Sequence, residues 1–141
     1  MAWQGGNVVL SYPVGTGGVT KYKFVRLGAG GDAGKVVAVS AIDQVGMIGV
    51  AKETIAAGGI VDVVIYGKAK VQAGTGGMTS GSLVASDITG LGVIGTPADT
   101  TTATAFHFFF GTAEETVAIN EIGTVNLTGM ASYVNTTGGT L

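Results

Sequence analysis

Apolar residues along the chain come in short runs, each closed after a few positions by Gly, Asn, Asp or Ser. Val8-Val9-Leu10, Tyr22-Lys-Phe-Val-Arg-Leu27, Lys35-Val-Val-Ala-Val39 and Val45-Gly-Met-Ile-Gly-Val50 open the series. Ile60-Val-Asp-Val-Val-Ile-Tyr66, Ala69-Lys-Val71, Ser82-Leu-Val-Ala85, Phe106-His-Phe-Phe-Phe110 and Gly123-Thr-Val-Asn-Leu127 continue it. Runs of this length and β-branched content, bounded by turn residues, predict strands. Only Ala51–Ala57 and Ala113–Ala118 have the composition of a helical turn, and both are too short to stand alone. The pattern predicts an all-β domain, a small barrel or sandwich with few or no helices.

The runs also repeat. Displacing the chain by 62 residues lays 49–77 over 111–139 without a gap, with twelve identical positions, among them Gly49/Gly111, Ala51/Ala113, Glu53/Glu115, Thr54/Thr116 and Val63/Val125. Such a period points to a duplicated supersecondary unit, a strand–turn–strand element that buries too little apolar surface by itself. Gly34-Lys-Val-Val-Ala38 also resembles Gly81-Ser-Leu-Val-Ala85 at a spacing of 47. The expected copies are therefore about 34–77 and 81–139, with an insertion near 95–105. Residues 1–20 form an N-terminal arm or a first strand, 21–128 the main β domain, and 129–141 a C-terminal tail.

Composition changes the picture in one respect. Of 141 residues 26 are Gly, hydrophobic residues make up 46%, and only 11% are charged, against about 25% in an average soluble domain. Disorder requires the reverse balance. A surface this poor in charge leaves apolar patches on a lone monomer and points to assembly. The net charge of −2 gives nucleic acid no electrostatic purchase. All seven cations lie between Lys21 and Lys70, and the stretch from Val71 onward carries five acids and no cation. Opposed charge of this kind can favour self-association or orient a partner. With no Cys, disulfides and thiolate metal sites are excluded. The N-terminus lacks the basic and apolar segments of a secretory signal, and no uniformly apolar stretch has the length of a membrane span.

Catalytic chemistry finds little support. The single histidine, His107, lies in an aromatic run, and no Gly-x-Ser-x-Gly motif accompanies it. A catalytic His needs a nucleophile and an orienting carboxylate. The Gly-rich stretch Gly28–Gly34 fits neither a dinucleotide fingerprint nor a P-loop, since Ala33, Ala29 and Val36 stand where those motifs need other residues. The reading is a protein without catalytic, cofactor-binding or metal-binding residues.

Phe24-Val-Arg-Leu27, Gly34–Val39, Val45–Ala51, Ala56–Gly67, Gly81–Ala85 and Gly111–Thr116 together resemble capsid decoration (cement) proteins of tailed bacteriophages. The resemblance covers about 24–127 and rests on the order of Gly, Val and Ala. It implies a small β-barrel or sandwich, oligomeric, most simply a homotrimer, on the outer face of the shell. The implied partners are the major capsid protein and further copies of the chain, with neither nucleic acid nor membrane. The implied function is to stabilise the virion by bridging neighbouring shell subunits, after synthesis in the host cytoplasm. A glycan- or host-surface-binding β-module is the alternative; it calls for aromatics grouped on one exposed face. Met1–Tyr12 precedes the family-like region, holds the only Trp and carries no charged side chain. Such a segment is cheap to desolvate and suited to joining a neighbour's sheet edge. Trp3, Gln4, Val8, Leu10 and Tyr12 are the candidate capsid or subunit contacts, unless the segment is the domain's own first strand.

Overall fold

The computed structural model describes residues 7–40, 46–95 and 105–135. Nine strands follow in chain order: β1 (Val8–Pro13), β2 (Phe24–Leu27), β3 (Val36–Ala38), β4 (Met47–Ala51), β5 (Ile60–Gln72), β6 (Leu83–Ser86), β7 (Gly92–Ile94), β8 (Ala105–Ala113) and β9 (Ile122–Asn135). They pair antiparallel in the order β3-β2-β4-β5-β9-β8-β6-β7, with β1 also on β5. The sheet curls into a half-barrel, as an all-β chain of many short strands is expected to. The single helical element among the described residues is a 3-10 turn at Gly30–Asp32. The segments beginning at Ala51 and Ala113 are corners instead of helical turns. Each starts as the end of a strand, and a two-residue bridge, Val19 to Ile55 and Met78 to Val117, holds the loop that follows.

The duplication is present in the backbone. β4 pairs with β5 through Val50↔Val64 and Ala51↔Val63; adding 62 to every number gives the β8–β9 pairs Thr112↔Asn126 and Ala113↔Val125. A second relation, hidden in the sequence, completes it. β1 pairs with the first half of β5 in a register that the second half of β5 repeats on β9. Leu10↔Val63, Ser11↔Asp62 and Tyr12↔Val61 correspond to Ala69↔Val125, Lys70↔Thr124 and Val71↔Gly123. The β1 side has moved by 59 and the partner side by 62. β5 thus closes the first copy with its first half and opens the second with its last half.

Turn chemistry follows the same two displacements. Among the described residues two other than Gly have positive φ, Tyr22 at 67° and Asn120 at 69°. Each faces a glycine in the other copy: Gly81 at 86° corresponds to Tyr22, and Gly58 at 91° to Asn120. Their hydrogen bonds match as well. Tyr22 donates its N–H to Ala51 and Gly81 to Ala113, while Gly58 donates to Val14 and Asn120 to Ala73. Left-handed backbone costs most residues about 1 kcal/mol, little for Asn and nothing for Gly.

Each copy has its own apolar core. Val14, Val19, Val25, Val36, Ala51, Val61 and Val63 fill the first. Ala73, Met78, Val84, Phe110, Ala113, Val125 and Leu127 line the second, and Phe24, Val50 and Val64 from the first copy pack into it. The Phe24 and Phe110 rings meet at 4.8 Å between centroids across this seam. By these equivalences Leu83–Ser86 stands where Phe24–Leu27 stands. The 47-residue match of Gly34–Ala38 with Gly81–Ala85 therefore joins non-equivalent strands, β3 and β6, through a shared Val-Ala ending. Of the Phe run, Phe110 is buried; the side chains of Phe106–Phe109, His107 included, lie outside the described residues.

The backbones of the two copies close up most tightly at Gly49 and Gly111. A Cβ on Gly49 would collide with the Val64 carbonyl oxygen, and one on Gly111 with that of Asn126. Because the obstacle is main chain inside a ladder, Gly49→Ala and Gly111→Ala should each cost about 2 kcal/mol or more. Chemical denaturation should show the two losses to be of similar size. Asn120→Gly, by contrast, should leave stability within about 0.5 kcal/mol.

Candidate functional site

β1 is a strand of the domain's own sheet, hydrogen-bonded along β5 from Val8 to Pro13. Three of the five residues singled out from sequence lie on it: Val8, Leu10 and Tyr12. Trp3 and Gln4 lie outside the described residues. Leu10 and Tyr12 hold the positions that Ala69 and Val71 hold in the second copy. Ala69 and Val71 are buried in one apolar cluster with Phe24, Val50 and Val64 of the first copy. The first copy has no comparable cover among the described residues, so Leu10 and Val8 are each 44% exposed and Tyr12 is half-buried against its core. On the partner strand Ile60 and Tyr66 are also exposed. Among the described residues β1 pairs with β5 alone, which leaves its other edge free to take a further strand. Pro13 sits at the end of that edge, where a missing N–H costs least.

A second surface was not apparent from sequence. Lys21 and Tyr22 from the β1–β2 connection, Lys52 just after β4, and Lys68 and Lys70 from β5 converge on one cleft of about 310 Å³. Asn7 joins the rim, and Val50, Ala51, Val64 and Ala69 form an apolar floor. The Lys21 ammonium lies 4.7 Å from the centre of the Tyr22 ring. Lys68 pairs with Glu114 at 3.2 Å, and the Lys70 ammonium donates to the Thr124 hydroxyl at 2.7 Å. The sequence shows only that cations crowd into one half of the chain. Their convergence depends on the pairing of β4 with β5 and on the corner that carries Lys21 over Ala51.

Titratable chemistry elsewhere is sparse. Among the described residues no three His, Cys, Asp or Glu side chains gather as a metal site would require. Glu115 is set apart. The Thr124 hydroxyl and then the Thr124 backbone N–H, 3.0 Å from its carboxylate, hold its carboxyl below the usual glutamate range, with a smaller contribution from Lys70. The bonds tie the β8–β9 corner to the start of β9.

Fold and surface together define a class: a duplicated all-β module whose features are an uncovered apolar edge and a basic cleft. No protein-family model matches the sequence, and no curated protein does. Among solved structures the chain is similar to the head fiber gp8.5 N base of bacteriophage phi29, with a TM-score of 0.58 and 21% identity over 86% of this chain and 95% of that one. At this identity the likeness is one of fold.

Glu115 provides a test of the corner. Its lowered pKa means that the ionised form is favoured in the folded state. The stability this contributes is present above the unfolded-state value and fades as pH falls through the lowered folded value. NMR titration should find the Glu115 carboxyl below the ordinary glutamate range, and Thr124→Val, which removes the hydroxyl, should raise it.

Proposed function

We propose that the chain is a structural protein of a phage virion, bound to the outer surface of the capsid, where it bridges neighbouring major capsid subunits and so stabilises the shell. The observation that carries this reading is the fold shared with a phage head fiber base over nearly the whole of both chains. The low charge content supports it, since large buried contacts are depleted in charge. So does the sheet edge at β1, where Val8 and Leu10 expose apolar area beside an edge that no other described strand pairs. A strand or loop of the shell, or of another copy, would bury both at once. Trp3 and Gln4, just ahead of this strand, extend the same contact. Self-association into a homotrimer fits this role, because a bridging protein with several shell contacts loses its grip only when all fail together.

Such a protein performs no catalysis and needs no cofactor; its work is the free energy of its interfaces. The test is cosedimentation with emptied shells of the phage that encodes the chain. Trp3→Ala and the pair Val8→Ser with Leu10→Ser should each weaken shell binding about tenfold, roughly 1.4 kcal/mol. The melting temperature of the free protein should stay within about 3 °C. Wild-type protein that leaves shells unbound at micromolar concentration, or that binds a glycan array in their place, would overturn the reading.

A further inference from the structure

The duplication supplies an internal control for which side chains the fold itself needs. At the corner before β2, Lys21 donates its N–H to the Thr54 hydroxyl at 3.1 Å, and Ser80 does the same to Thr116 at 3.0 Å. Past the end of β4, Lys52 donates its N–H to the Asp62 carbonyl at 3.0 Å, and Glu114 to that of Thr124 at 2.9 Å. The backbone is the same and the charge is not: one copy has two lysines where the other has a serine and a glutamate. Tyr22 makes the contrast sharper. It keeps a bulky side chain at φ 67°, where the equivalent Gly81 serves the same hydrogen bond at φ 86° without strain. A strained residue retained where glycine suffices directs attention to what its side chain does. All three side chains line the same cleft.

We infer that this cleft is a binding site for a short acidic polypeptide segment, one that presents two or more carboxylates. The chemistry of the rim selects the ligand. Lysine ammonium groups are donors only, and four of them with one Asn face a ligand that must supply acceptors. Saccharide hydroxyls need acceptors as well as donors, and among the described residues lining the cleft none is a carboxylate; the neighbouring Glu114 is engaged by Lys68. The second copy, where all the charged residues from Val71 onward are acidic, repels an extended polyanion; a short segment with side-chain carboxylates need not reach it. Among the described residues one lysine of the four, Lys68, has a carboxylate within ion-pair distance. That leaves Lys21 and Lys52 to meet the ligand, with Lys70 offering the N–H donors not used by Thr124, while the apolar floor of Val50, Val64 and Ala69 takes its aliphatic carbons. The Tyr22 ring holds the Lys21 ammonium at the rim.

The inference stands on the cleft alone; if the capsid reading also holds, the segment belongs to the shell subunit. The probe is a fluorescein-labelled hexaglutamate peptide titrated into the full chain at low and at 0.15 M salt. Saturable binding is expected, weakening as salt rises. Lys21→Gln with Lys52→Gln should reduce affinity at least tenfold, and Tyr22→Gly at least threefold without lowering the melting temperature. Lys35→Gln, outside the cleft, should change neither. Absence of peptide binding, equal binding by the cleft variants, or tighter binding of a charge-matched oligothymidylate would overturn the inference. Shell binding separates the two readings. Shells retained by the lysine double variant leave the capsid reading standing and remove the cleft from it. Peptide binding without shell binding does the opposite.

Discussion

The structure depends on one strand doing two jobs. β5 hydrogen-bonds β1 and β4 over its first half and β9 over its second, with Gly67 at φ 92° where one half gives way to the other. The first half contributes Val61 and Val63 to one core, and the second contributes Ala69 and Val71 to the other. A copy deprived of β5 would lose a pairing partner and the β5 side chains that line its core. This is why a sequence of two similar units forms a continuous curled sheet and not two beads on a string. Non-local ladders of this kind bind the chain together at the cost of slow loop closure.

The seam between the copies shows how equivalent positions diverge once their neighbours differ. Phe24, Val50 and Val64 are buried because a second core lies against them. Their counterparts Leu83, Thr112 and Asn126 have no further core to meet among the described residues; Leu83 is exposed and the other two are half-buried. Apolar residues survive where a neighbour removes water, and polar ones replace them where none does. At the other end the rule is broken. Leu10 stays apolar although exposed, and that exception is what sets β1 apart from its counterpart in the second copy.

Much of the fold was legible because strands carry a period of two and the copies carry a period of 62. The Val-rich run of β5 and the corner after β4 announced themselves through Gly49, Glu53 and Thr54 and their matches 62 residues on. The 59-residue relation was not. It shows in Gly15-Thr-Gly-Gly18 against Gly74-Thr-Gly-Gly77, but four residues of a glycine-rich chain carry no weight until the bridges of Val19 and Met78 to their corners are seen. The match at 47 misled because Val-Val-Ala and Leu-Val-Ala are common strand words. The basic cleft could not be read at all: Lys21, Lys52 and Lys70 are far apart in sequence, and only cross-strand pairing makes them neighbours.

The same shared strand bears on how such a gene can lengthen. Because the unit boundary falls in the middle of β5, a window that begins and ends inside a shared strand contains one complete set of pairings: β5 with β9, β6 with β7 and β8, and Gly111–Ala113 of β8 with β9 all lie within residues 67–127. A tandem duplication would not need breakpoints in surface loops to yield a foldable product. Crossovers inside a strand would do equally well, provided the reading frame and the alternation of side chains were kept. Most architectures confine viable duplication to a few junctions between domains; here the junction lies inside a strand, which opens a further path to growth by whole periods.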